Sequence, residues 1–177
     1  MLETERLRML PWRPDDWLDF RPIATDPEVM RYITGGQPWS DEQVQEWVNR
    51  QTRHFDEHGF CCWKLVEKGG QQILGFCGIQ PIELDGEAGV EIGWWLAKAH
   101  WGRGLATEAA RRALADAFYR VGLARIIAIA HPDNRASRRI MEKLGMHYQR
   151  DTVRRGFPVV LYTIERAERA NFTEDTG

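Results

Sequence analysis

The sequence predicts a single layered domain of the α/β or α+β class. Three observations carry that expectation. The chain has 177 residues, 43% hydrophobic and 28% charged, which is the length and composition of one ordinary globular domain. Apolar residues follow strand spacing on both sides of a central stretch and helical spacing within it. No internal repeat, low-complexity tract or flexible linker divides the chain. A chain this long buries about 70% of the surface its unfolded form exposes, so it needs no disulfide staples.

Glu5 to Leu10 alternates polar and apolar side chains and predicts a first strand. Pro14-Asp15-Asp16 opens a helix, with both carboxylates in the first turn, where the helix dipole favours them. Gly35-Gly36-Gln37-Pro38 predicts a loop. Ser40 and Gln43 have the spacing of a capping box, starting a helix that runs to about Glu57. Residues 60–67 and 71–80 predict an antiparallel pair joined at Gly69-Gly70. Val90 to Leu96 is a strand too uniformly apolar for a sheet edge. From Gly104 the period changes, and Leu105, Ala109, Ala113, Ala117 and Val121 recur at every fourth residue. That is an amphipathic helix whose small residues permit close packing on a sheet. Ile126 to Ala130 is a buried strand by composition. Ala136 to Leu144 is a short helix stopped by Gly145, and strands near 147–154 and 158–166 close the domain.

Lys and Arg number 24 against 26 Asp and Glu, without the broad basic excess of a nucleic-acid binder. The distribution is uneven. Residues 1–90 hold 9 basic and 16 acidic side chains, and residues 100–155 hold 12 and 5. Either solvated charges segregate by chance, or the C-terminal half meets a polyanion while the N-terminal half admits cations. The longest apolar runs are too short to span a membrane as a helix. Met1 to Glu5 has neither the basic nor the apolar region of a signal peptide. Cys61, Cys62 and Cys77 make an odd set without a Cys-x-x-Cys pair, which predicts a reduced, cytoplasmic setting. His54 and His58 lack the Glu of a His-Glu-x-x-His motif, so no metal is expected.

The informative segment is the strand 90–96, the turn Ala99 to Ala106 and the helix that follows. A glycine turn at a helix N-terminus exposes backbone N–H groups and the positive end of the dipole, a site for phosphate. A Walker loop needs Gly-Lys-Ser/Thr, yet Leu105 follows Gly104. A Rossmann fingerprint starting at Gly102 needs Gly or Ala at position 107, where Thr107 stands. Trp101-Gly102-Arg103-Gly104-Leu105-Ala106-Thr107-Glu108-Ala109 instead resembles the acetyl-coenzyme A pyrophosphate loop of the GNAT N-acetyltransferase superfamily. Gly104 and Ala106 match its pattern. Trp101 replaces the usual Arg or Gln, as in the branch of ribosomal-protein N-terminal (Rim-type) acetyltransferases. Glu3-Thr4-Glu5-Arg6-Leu7, Glu91-Ile92-Gly93-Trp94-Trp95-Leu96 and His131 to Ser137 with Lys143 to Met146 resemble the same branch, in order and spacing.

The resemblance implies a mixed, mostly antiparallel central sheet of about six to seven strands with helices on both faces. It implies an acetyltransferase domain over residues 1–170 and a tail over 171–177. The substrates implied are acetyl-CoA and a primary amine, either a protein N-terminus or a small molecule, with no metal, nucleic acid or membrane, in a monomer or homodimer. The pantetheine arm is expected to lie between strands 90–97 and 125–130 and to pair with the backbone around Trp94, Trp95 and Leu96. Trp101, Gly102, Arg103, Gly104, Leu105, Ala106 and Thr107 are expected at the pyrophosphate. Arg103, Arg138 or Arg139 would reach the adenosine phosphates or be solvated surface charges.

Asn134 matches the family residue that contacts the pantetheine arm; capping the helix 136–144 is its alternative role. Met141 stands where many relatives carry an acidic Tyr, and Ser137 is the Rim-type donor to the leaving thiolate. Glu91, acidic at the start of an apolar strand, is implied to face the acceptor and activate it through water; the alternative is a rim carboxylate paired with an Arg. Trp39 is a candidate wall of the acceptor pocket. The reading opposed to an enzyme is an acyl-CoA-binding module of the same fold that has lost catalysis, for which Met141 is the support.

Overall fold

The computed structural model describes residues 1–167. The expected domain end at 170 and the tail 171–177 lie outside the described residues. Eight strands form one sheet: β1 (Leu2–Glu3), β2 (Leu7–Leu10), β3 (Cys62–Glu67), β4 (Ile73–Leu84), β5 (Glu87–Leu96), β6 (Arg125–Ala130), β7 (His147–Arg154) and β8 (Phe157–Glu165). Their spatial order is β1-β2-β3-β4-β5-β6-β8-β7. Every neighbouring pair is antiparallel except β5–β6. The mixed sheet agrees with expectation, but the count is eight rather than six to seven. The added strand is β1, where Leu2 pairs with Met9 across a short turn; two residues are too few to show a period.

The helices are α1 (Trp17–Ala24), α2 (Pro27–Met30), α3 (Asp41–His58), α4 (Leu105–Asp116) and α5 (Arg135–Lys143). The capping box forms as expected: the Ser40 hydroxyl accepts from the Gln43 N–H at 3.2 Å, and Gln43 Oε1 accepts from the Ser40 N–H at 2.9 Å. Pro14-Asp15-Asp16 is a 3-10 turn that leads into α1. The long helix from 105 does not stay α to Val121, because residues 117–121 widen into a π-turn before Gly122.

The core lies on both faces of the sheet. Phe20 of α1 and Trp47 of α3 stack with Phe76 and Trp95 on one face, at ring separations of 4.6–6.5 Å. The small residues Ala109, Ala110 and Ala113 are buried where α4 meets β4 and β5.

β4 runs past the expected end at residue 80, through Pro81, to an Asp85-Gly86 turn that returns as β5. Its pairing with β3 ends at Gly78, so the N–H that Pro81 lacks is not needed there. The ribbon buries Ile82 and Leu84 against Leu161. Its tip is fixed to β7, where Arg150 and Thr152 bind the Asp85 carboxylate.

Candidate active site

The site forms where two strands part. β5 and β6 run parallel, and Glu91 opposite Ile127 is the one register pair they share. β5 continues to Leu96, held on its other edge by β4. β6 continues to Ala130, held on its other edge by β8. Between Ile92–Leu96 and Ala128–Ala130 the facing edges diverge, and their peptide groups suit an extended ligand, since backbone polar groups inside a protein must find partners. Trp101, 46% exposed, reaches back to this strand, its indole N–H donating to the Leu96 carbonyl at 2.8 Å. That carbonyl therefore has a protein partner. Trp94 and Trp95 are half-buried beside it.

The turn after β5 leads straight into α4. Gly102 (φ 72°) and Gly104 (φ 77°) are left-handed, and Gly104 is the N-cap with no capping side chain. Serine or aspartate at an N-cap covers the first N–H groups. Glycine leaves those of Leu105, Ala106 and Thr107 to a ligand at the positive end of the helix. The residues here fit a pyrophosphate. Arg103 is tied across the turn, to Glu67 at 2.6 Å and to His100 Nδ1 at 3.1 Å.

The Thr4-Glu5-Arg6 segment, whose chemistry the sequence did not reveal, clamps this turn. Glu108 accepts from the Thr4 hydroxyl (2.5 Å), the Arg6 N–H (2.9 Å) and Arg6 Nε (2.7 Å), while Arg6 Nη1 donates to the Arg103 carbonyl at 2.9 Å. Burial alone would raise the Glu108 carboxyl, but the bonds from Thr4 and Arg6 outweigh it and hold the pKa below the usual range. A carboxyl lowered in the folded state stabilises above its unfolded pKa, and that stabilisation is lost as pH falls through the folded value. Glu108→Gln is therefore expected to cost about 1–3 kcal/mol at neutral pH. Urea denaturation at pH 7 and below about pH 4 checks this, with variant and wild type converging in acid.

On the far rim, Asn134 caps α5, its Oδ1 accepting from the Ser137 N–H at 3.1 Å. The capping role is thus met by the carboxamide oxygen, which leaves the amide nitrogen as a donor. Ser137 is half-buried, and Met141 is 1% exposed in the core.

Glu91 is 6% exposed. Its Oε1 accepts from Gln80 Nε2 at 2.7 Å and its Oε2 from Arg154 Nη1 at 2.9 Å. Gln80 Oε1 accepts from Gln51 Nε2 at 3.1 Å, and Gln51 Oε1 from the Cys62 N–H at 2.9 Å. The buried carboxylate therefore ends a chain of satisfied polar groups from α3 through β4 to β5. Gln51 and Gln80 were not found from sequence, and the sequence did not say which arginine would pair with Glu91. Only Gln51 carried a signal, as a lone polar residue on the Val44, Trp47, Val48 stripe of α3.

Glu91, Gly93 and Trp95 alternate onto the face covered by α3. A Cβ at Gly93 would make an ordinary 3.9 Å contact with the Phe76 ring, and glycine leaves the floor between Glu91 and Trp95 without a side chain of its own. Trp39 packs on Trp95 at a ring separation of 4.9 Å, beside this floor. The loop before α3 spans its top, with Tyr32 against His131 (5.4 Å) and Gly35 beside Phe157 of the β7–β8 hairpin.

The acidic excess of residues 1–90 does not gather at this mouth. Asp16, Asp41, Glu46, Glu67 and Asp85 each pair with a basic side chain in scattered places.

No cysteine offers a nucleophile. Cys61, Cys62 and Cys77 are buried and free, and desolvation raises all three thiols, Cys61 to about 12. A thiol held so high is not a thiolate at neutral pH. Among the described residues no group of three or more His, Cys, Asp or Glu side chains is placed to hold a metal, and no helix is long and apolar enough to cross a membrane.

The sheet split after its central strand, with an uncapped glycine turn at the end of the split, agrees with the acetyltransferase resemblance read from the sequence. Residues 6–147 match the family model described as an acetyltransferase (GNAT) domain, and the chain belongs to that family. It is 35% identical over 162 residues to the uncharacterized protein YkkB of Bacillus subtilis, covering 91% of this chain and 93% of that one. It is 30% identical over 145 residues to the uncharacterized N-acetyltransferase YnaD of the same organism, covering 82% and 81%.

Among solved structures, the acetyltransferase (GNAT family) from Bacillus anthracis superposes with a TM-score of 0.78 at 27% identity, covering 94% of this chain and 98% of that one. RimL, the ribosomal L7/L12 α-N-protein acetyltransferase solved with coenzyme A, shares the fold with a TM-score of 0.75 at 14% identity, covering 92% and 95%. The chain is an enzyme, an N-acetyltransferase.

Proposed function

We propose that this enzyme transfers the acetyl group of acetyl-CoA directly to a primary amine, in the manner of the Rim-type branch. The observation that carries the reading is the parting of β5 from β6 after Glu91, with the glycine-capped α4 at its end. Acetyl-CoA supplies an acetyl group activated as a thioester. The Leu105, Ala106 and Thr107 N–H groups hold the pyrophosphate, the β5 edge aligns the pantetheine amides, and the Asn134 amide nitrogen donates to the same arm. Ser137 protonates the departing thiolate.

The amine must be neutral to attack. At pH 7 an α-amine loses only about 1 kcal/mol to protonation, against about 4.6 kcal/mol for a lysine side chain. A carboxylate acting through water suffices for an α-amine. Glu91 has lone pairs left after bonding Gln80 and Arg154, and takes that proton. The raised thiols support attack by the amine itself over an acyl-cysteine route.

The test is an acceptor screen with acetyl-CoA, in which N-terminal peptides, amino acids and polyamines are compared by product mass. A companion variant locates the acceptor. Trp39→Ala is expected to raise the acceptor KM by roughly 3–10-fold, the worth of one aromatic contact, and to leave the acetyl-CoA Kd nearly unchanged. Loss of acetyl-CoA binding instead would remove Trp39 from the acceptor wall.

A further inference from the structure

Gln51 is a polar side chain with no exposed surface, on a face of α3 otherwise built from Val44, Trp47 and Val48. An apolar residue there would pack without the cost of drying an amide. The proposed transfer does not call on it directly. Its hydrogen bonds set a direction.

The Cys62 N–H can only donate, so the oxygen of the Gln51 carboxamide is the end that faces it, at 2.9 Å. The Gln51 nitrogen then faces Gln80, whose oxygen accepts at 3.1 Å. That turns the Gln80 nitrogen onto Glu91 Oε1, at 2.7 Å. Flipping either amide would set donor against donor and oxygen against oxygen. A backbone group of β3 thus fixes, through side chains on α3 and β4, which atom meets the carboxylate on β5. From β7, Arg154 Nη1 brings a second donor to Oε2 at 2.9 Å, and a guanidinium has nothing but donors. Glu91 is therefore an acceptor at both oxygens, each held by a neighbour that cannot reverse its role.

We propose that Gln80, and Gln51 through it, are positioning residues for the proton transfer from the acceptor amine. They hold the Glu91 carboxylate in one orientation and leave its remaining lone pairs to receive that proton. The proton passes from the amine through water to a Glu91 oxygen, and the electron pair it leaves on nitrogen forms the new bond to the acetyl carbon. The inference rests on Glu91 taking the proton, as proposed above.

Gln51→Met and Gln80→Met remove the amides at nearly constant size. Gln80→Met is expected to lower kcat by about 10–100-fold, the scale of a hydrogen bond to a charged group. Gln51→Met is expected to lower it by about 3–10-fold, the scale of a neutral one. Both KM values are expected to stay close to wild type, because neither amide is placed to touch a substrate. A packing role alone would lower the melting temperature and leave kcat of the folded variants unchanged. Should Gln51→Met fail to fold, Gln80→Met at its half-buried site carries the same comparisons.

The sharper comparison adds Glu91→Gln and follows single turnovers at pH 7. Residues that act through Glu91 lose their effect once its carboxylate is gone, so neither Met variant should cost anything further in that background. A second readout needs no turnover. The carboxamide proton resonances of Gln80, identified by their absence from Gln80→Met, are expected to move in Gln51→Met and in Glu91→Gln alike.

Unchanged kcat in both Met variants, or deficits that multiply with that of Glu91→Gln, would overturn the proposal and leave the chain a packing device. Gln80 resonances that move as expected in a wild type that acetylates no amine would show the chain intact and the positioning role fallen with the transfer itself.

Discussion

Replacing Glu91 by Gln is expected to lower kcat by about 10²–10⁴-fold, the range of general acid–base catalysis, with little change in the acetyl-CoA KM. Gln keeps the size of the side chain and an acceptor for Gln80, but it cannot take a proton. The deficit is expected to narrow as pH rises past about 7.7–8, where an α-amine becomes neutral without help. The pH profile separates this role from a structural one. Loss of the Arg154 ion pair alone would lower the melting temperature and leave the profile's shape unchanged. A variant with wild-type turnover at every pH would make Glu91 a buried ion-pair partner and nothing more.

Gly104→Glu is expected to abolish the thermal stabilisation by acetyl-CoA. A ligand at about a hundredfold its Kd adds about 2.7 kcal/mol, or roughly 5–10 °C for a domain of this size. Gly104 is left-handed, so any side chain there is strained, and a Cβ would lie 3.6 Å from Arg6 Nη2. The Glu variant adds negative charge where phosphate is to sit. Gly104→Ala carries the strain without the charge, so both variants should melt lower when unliganded, with Glu losing far more of the ligand-induced rise. An undiminished rise in Gly104→Glu would move the pyrophosphate away from this turn.

What was legible in the sequence was local. Ser40 and Gln43 lie three residues apart and announce a cap; Gly102 and Gly104 sit between a strand and a helix and announce a turn. Asn134 was readable as a cap for the same reason. The rest depends on partners far along the chain. Nothing near Glu108 points to Thr4 and Arg6, about a hundred residues earlier. Nothing near Glu91 points to Arg154, which only the β7–β8 hairpin brings across.

The strand expected to stop at residue 80 continues through Pro81, because the rule against proline holds only where both edges are paired. Here one edge of β4 is free of β3 beyond Gly78. A net charge counted over ninety residues ignores pairing: Asp16, Asp41 and Asp85 each meet a basic side chain where they stand.

The most direct test of the transfer is a single turnover with isotopically labelled acetyl-CoA and excess primary amine, quenched at intervals and resolved by mass. Direct attack predicts label passing from coenzyme A to an amide on the acceptor with no labelled protein at any time, and almost none passing in Glu91→Gln. Label held covalently on the protein before it reaches the amine, or acetyl-CoA bound without any amide formed, would contradict it.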